Sequence, residues 1–133
     1  MAETPNTELV RRFYREAINE RRLDAVGELL TADFVHNGDS RGSAGQTEAV
    51  RMFLDAFADL HNEIDILFGE DDLVCARQTW TGTHTGEFAG VAPSGHRVTV
   101  TSTAILRIDD GRIAEAWDEG DFLGAVTRAA QDA

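Results

Sequence analysis

Residues 98–121 constrain this chain more than any other segment, because their composition and their punctuation point to the same backbone. The run from Val98 to Ile108 is rich in Val, Ile and Thr, side chains that suit a pleated, half-buried surface. Asp110-Gly111 follows, supplying the positive φ angles of a tight hairpin turn, and the chain returns from Ile113 to Asp121. A long β-hairpin is the prediction. Alternation assigns Val98, Val100, Ser102, Ala104, Leu106 and Ile108 to one face, and Arg97, Thr99, Thr101, Thr103, Ile105 and Arg107 to the other. The Thr/Arg row either lines a polar pocket or faces water. On the return strand the same count puts Ile113, Glu115 and Trp117 on one parity. Trp117-x-x-x-Asp121 then brings an aromatic ring and a carboxylate to the mouth of whatever the sheet encloses.

A chain of 133 residues fits one domain, residues 1–133, that buries roughly 65–70% of its unfolded surface and needs no disulfide or metal for stability. The lone Cys75 cannot pair within the chain and lies in an apolar strand pattern, so it reads as a buried, inert thiol. The net charge of -12 argues against nucleic acid, whose phosphates need clustered cations. All 12 basic residues are Arg, so Schiff-base chemistry by a lysine is excluded. No apolar run suggests a signal peptide, and none approaches the roughly 18 residues of a membrane span. The expectation is a soluble cytoplasmic protein whose partner is a small molecule.

Thr4-Pro5 reads as a helix start, and Leu9, Val10, Phe13, Tyr14, Ala17 and Ile18 recur at helical spacing towards Glu20. Tyr14 lies in that apolar stripe, either as a core filler or with its phenol reaching a cavity. A short second helix covers Leu23 to Leu30, and His36 stands where the chain straightens before the turn Asn37-Gly38. There it is a structural hydrogen-bonding residue or a donor to a ligand. His36, His61, His84 and His96 show no metal-binding spacing, and no metal is expected. The third helix runs from about Gly45 to Leu60, with Phe53 and Phe57 one turn apart as core or as a cavity wall. Ile64 to Phe68 and Leu73 to Thr83 alternate as strands, the second placing Val74, Ala76, Gln78 and Trp80 on one parity. A loop-rich segment, residues 82–95, rims the pocket, and residues 122–131 form a closing helix for which Asp121 is also a good N-cap.

Three helices, an antiparallel meander and a terminal helix give an α+β domain, a curved antiparallel β-sheet wrapped around N-terminal helices as a cone with an interior pocket. Several stretches bear a resemblance: Phe34-Val-His36, Gly82-Thr-His-Thr-Gly-Glu-Phe88, Ala92-Pro-Ser-Gly-His-Arg-Val98, Leu106-Arg-Ile-Asp-Asp-Gly-Arg-Ile113 and Trp117-x-x-x-Asp121. Together they resemble the SnoaL-like polyketide cyclases, within the ketosteroid-isomerase-like cone fold. The resemblance implies a cofactor-free enzyme that closes a ring in a polyketide ester by intramolecular aldol condensation, with Asp121 matching the family's acid/base aspartate. Thr127-Arg-Ala-Ala departs from the family's usual Gln-Leu-Gly ending.

The chemistry is simple enough for one carboxylate. A hydrogen on carbon between two carbonyls is acidic, and a base of moderately raised pKa removes it. Trp117 and the Phe side chains are expected to desolvate Asp121 and raise its pKa, while His36, Tyr14 or His84 donate hydrogen bonds to the enolate oxygen. Phe53, Phe57, Trp80 and Arg107 complete the expected substrate-binding set. The same scaffold also hosts isomerases, epoxide hydrolases, hydroxylases and non-catalytic modules that hold a hydrophobic ligand. An isomerase needs a mid-strand carboxylate and an Asp-Arg-Asp hydrolase a second acid; residues 98–108 offer neither, although Arg107 and Asp121 are present. By analogy with this fold, a homodimer or homotetramer is expected.

Overall fold

The computed structural model describes residues 3–131. Thr4 caps the first helix, α1 (Pro5–Phe13): its hydroxyl accepts from the Thr7 N–H at 3.2 Å, and the Thr7 hydroxyl accepts from the Thr4 N–H at 2.8 Å. Past Phe13 the helix widens into a π-helical turn over Tyr14–Asn19, which buries Tyr14, Ala17 and Ile18 together. Next come α2 (Asp24–Leu29), β1 (Leu30–His36), α3 (Gly42–Ala56), β2 (His61–Glu70), β3 (Leu73–Thr83), β4 (Arg97–Asp109), β5 (Arg112–Gly120) and α4 (Phe122–Gln131). No helix among the described residues is long and apolar enough to cross a membrane.

The sheet order is β1-β5-β4-β3-β2, an open sheet whose last four strands form the expected antiparallel meander. The segment before Asn37 adds something the alternation did not announce. It docks as β1 in parallel against β5, which makes the sheet mixed. Its own pattern, with large apolar residues only at Leu30, Phe34 and Val35, is too weak to declare a strand, and the free edge of β5 supplies the hydrogen bonds that decide it.

The β4–β5 hairpin turns at Asp110 (φ 49°) and Gly111 (φ 76°), both in the left-handed region that this turn requires. On β4 every residue of the predicted inner face is buried or nearly so, from Val98 to Ile108. The return strand departs from simple alternation. Ile108 pairs with Ile113 but Arg107 pairs with Glu115, so Ala114 is left without a partner in a β-bulge. Ile113 and Ala114 are both buried, and beyond them the parity is inverted: Trp117 faces outward beside Ile105, and Ala116 and Asp118 face inward. The inner face packs on α1, the π-helical turn and α3 around Val10, Phe13, Leu54, Phe57 and Leu106.

Candidate active site

A cavity of about 380 Å³ remains between the inner sheet face, the π-helical turn, α3 and the start of α4. Its walls are largely apolar. Aromatic rings from four elements build one side: Phe53 lies 5.0 Å from Phe122 between ring centres, Phe122 5.6 Å from Trp80, and Trp80 6.0 Å from Tyr14. These edge-on contacts brace flat surfaces suited to a flat ligand. Gly120 lets β5 pass close to β4, where an added Cβ would lie 2.8 Å from that of Ser102.

Polar groups gather at two ends. At the mouth, His36 Nε2 lies 3.0 Å from both Asp118 oxygens, and the Asn37 amide nitrogen donates to Asp118 Oδ1 at 3.2 Å. The Asp118 N–H in turn donates to Asn37 Oδ1 at 2.8 Å, which fixes the strand end. Burial pushes the Asp118 carboxyl up, but the hydrogen bond and charge of His36, the Asn37 bond and the Arg41 charge together outweigh it. The net shift is below the ordinary carboxylate range. An ionised carboxylate only accepts, so the His36 proton sits on Nε2.

Asp121 also borders the mouth, in a different setting. Its carboxylate caps α4, Oδ1 accepting from the Gly124 N–H at 2.9 Å, with Oδ2 3.7 Å from Arg128 and the side chain 71% exposed. Trp117 does not desolvate it, because the bulge at Ala114 turns the indole to the outer face. The inner end holds Tyr14, Gln78 and Ser102, all buried. Burial raises the Tyr14 phenol well above its ordinary pKa, opposed by its neighbour Gln78, so the group is a neutral donor.

Of the residues expected at the site, Tyr14, His36, Phe53, Trp80 and Asp121 line the cavity. The other four lie elsewhere. Phe57 is fully buried one turn beyond Phe53, packed at a tilt against His84 and Phe88 in the core behind the wall. His84 is likewise fully buried, with no hydrogen-bond partner at either ring nitrogen among the described residues. Arg107 sits on the outer face, 3.4 Å from Glu115, as its parity with Ile105 dictates. Trp117 shares that face. Sequence reasoning missed Asp118, Gln78 and Ser102; for the last two a signal existed, since each is a polar residue on the apolar parity of its strand.

The sequence profile of the SnoaL-like polyketide cyclases matches residues 8–128. The chain belongs to this family. Among SnoaL-like relatives, aklanonic acid methyl ester cyclase DauD of Streptomyces sp. strain C5 is 30% identical over 128 residues, spanning 91% of this chain and 79% of that protein. TsrD from Streptomyces laurentii superposes with a TM-score of 0.86 at 30% identity, covering 98% of this chain and 97% of that one. AclR from Streptomyces galilaeus, a candidate hydroxylase, does so with a TM-score of 0.82 at 31% identity, covering 95% and 96%.

Proposed function

We propose that this chain closes a ring in an aromatic polyketide ester by intramolecular aldol condensation, with Asp121 as acid and base and without a cofactor. The observation that carries the reading is a largely apolar cavity of about 380 Å³ with carboxylates at its mouth and neutral donors at its inner end. Asp121 takes a proton from the carbon flanked by two carbonyls, and the C–H electrons pass into the enolate. The enolate carbon attacks a second carbonyl of the same molecule, a C–C bond forms, and Asp121 returns its proton to the new alkoxide. Tyr14 donates to the oxygen on which negative charge develops, while His36, its Nε2 proton donated to Asp118 in a hydrogen bond, holds that carboxylate in place. Phe53 and Trp80 hold the flat ring system, whose arrival covers Asp121 and excludes water. We place the protein in the cytoplasm as a homo-oligomer.

Turnover of aklanonic acid methyl ester by wild type and Asp121→Asn tests the reading. Asn caps a helix but takes no proton, so the melting temperature should hold while turnover falls about 10²–10⁴-fold. One observation favours a second reading, a module that holds a hydrophobic ligand without converting it: the Asp121 carboxylate is already engaged as a cap. A wild type that binds the ester without converting it would establish that reading, and an active Asp121→Asn would reduce Asp121 to its cap.

A further inference from the structure

Gln78 is a polar residue on an apolar face. On β3 it shares the inward parity with Val74 and Ala76, is 1% exposed, and stands opposite Ser102, itself buried among Val100 and Ala104 on β4. A buried primary amide persists in such a place only if its hydrogen-bonding groups are used. Half of it is used. Ser102 Oγ lies 2.8 Å from Trp80 Nε1 and 3.2 Å from Gln78 Oε1. An indole N–H can only donate, so the serine hydroxyl accepts there and sends its own proton onward to the Gln78 oxygen. This relay fixes the amide's orientation. The oxygen is held by Ser102, and the nitrogen, with two protons, is buried in the cavity wall beside the Tyr14 phenol, with no hydrogen bond of full geometry among the described residues. Tyr14, a neighbour of Gln78 on the same cavity wall, keeps its phenolic proton and adds a second neutral donor.

We propose that the Gln78 amide is a fixed donor to a carbonyl oxygen of the bound ligand, and that Ser102 is its positioning residue. The inner end thereby selects a leading edge that carries a ketone or quinone oxygen. A carboxylate is disfavoured there, since the nearest cation lining the cavity, Arg41, belongs with the Asp118 cluster at the mouth. A bare hydrocarbon edge leaves the amide without an acceptor from the ligand. The assignment rests on the cavity being a polyketide site, and deepens that reading by naming the oxygen's receptor.

The test measures binding rather than turnover. In a Trp117→Phe background Trp80 is the sole indole, and quenching of its emission reports binding of anthraquinone and of anthracene, which share a tricyclic outline and differ in the carbonyls. Gln78→Met keeps the length of the side chain and removes the donor. Anthraquinone should bind about five- to tenfold more weakly to Gln78→Met, and anthracene as well as before or better. Ser102→Ala, which frees the amide to rotate, should lower the same preference by a smaller factor, an effect that a merely structural serine would not produce. An unchanged ratio of the two affinities in both variants overturns the proposal, as does an equal loss for both ligands. Should Gln78→Met not fold, Ser102→Ala decides alone by the same ratio. A wild type inactive on polyketide esters leaves the ratio standing, whereas a flat ratio with an inactive Asp121→Asn removes Gln78 and keeps the cyclase.

Discussion

Asp118 shows how a site residue carries stability as well as chemistry. Burial opposes its charge, yet the His36 contact, the Asn37 bond and the Arg41 charge leave its carboxyl below the ordinary range. A carboxyl depressed in the folded state contributes stability that is present above the unfolded value of about 3.9 and is lost as pH falls through the folded value. Because the side chain is 40% exposed, the bond is worth only about 0.5–1 kcal/mol after screening. Asp118→Asn should therefore melt a few degrees below wild type at pH 6–7, with the gap closing below about pH 4. A gap that widens on acidification would mean that burial dominates instead. His84 offers the opposite case. With both ring nitrogens lacking partners among the described residues, the imidazole beside Phe57 costs more than an apolar side chain of similar volume. His84→Leu should raise stability in urea titration by about 1 kcal/mol; a loss of similar size would reveal a bonded imidazole.

At the scale of elements, one residue offsets the alternation that a count along β5 assigns. Ala114 is the extra residue of the β5 bulge, and every side chain after it lies on the face opposite to the one simple alternation assigns. Deleting Ala114 would close the bulge while leaving Glu115, Ala116, Trp117 and Asp118 opposite Arg107, Leu106, Ile105 and Ala104, so Trp117 stays outward and Asp118 inward. We expect the deletion to cost on the order of 1–2 kcal/mol, through the buried methyl and the local twist it removes, and to leave ligand binding in place. Ala114→Gly, which keeps the bulge, should cost about 1 kcal/mol or less. Urea titration of the two variants compares them directly, and equal stabilities would show that the bulge is incidental. The hairpin turn is a second such point: at φ 76° Gly111 occupies backbone space that Ala enters only with strain, so Gly111→Ala should cost about 1 kcal/mol.

For the molecule as a whole, the outer sheet face stands out. Phe68, Cys75, Ile105 and Trp117 lie in one register row across four strands, and the three large members are each more than 40% exposed. Arg77 and Arg107 flank the row together with Asp65 and Glu115, a mixture of signs that can complement itself across a two-fold axis. We propose a second copy of the chain as the occupant. Sedimentation should then give a dimer for wild type and a monomer for Ile105→Lys with Trp117→Lys. A wild-type monomer at micromolar concentration would leave the row without a partner.

By itself the sequence determined the local structure. Thr4-Pro5 is a start, Asp110-Gly111 is a turn, and the alternation of Val98 to Ile108 fixes a buried face, because these signals depend on neighbours a few residues away. The family motifs extend that reading to the cone fold. Tertiary structure alone decided where β1 would pair, since its hydrogen-bond partners come from an edge about 80 residues further along the chain. It also decided the inside of the site. A bulge is a property of two strands in register and leaves no mark on one strand's composition, so parity counted from Ile113 led to Trp117 while folding delivered Asp118. Gln78 and Ser102 are separated by 24 residues; only their pairing shows that one orients the other.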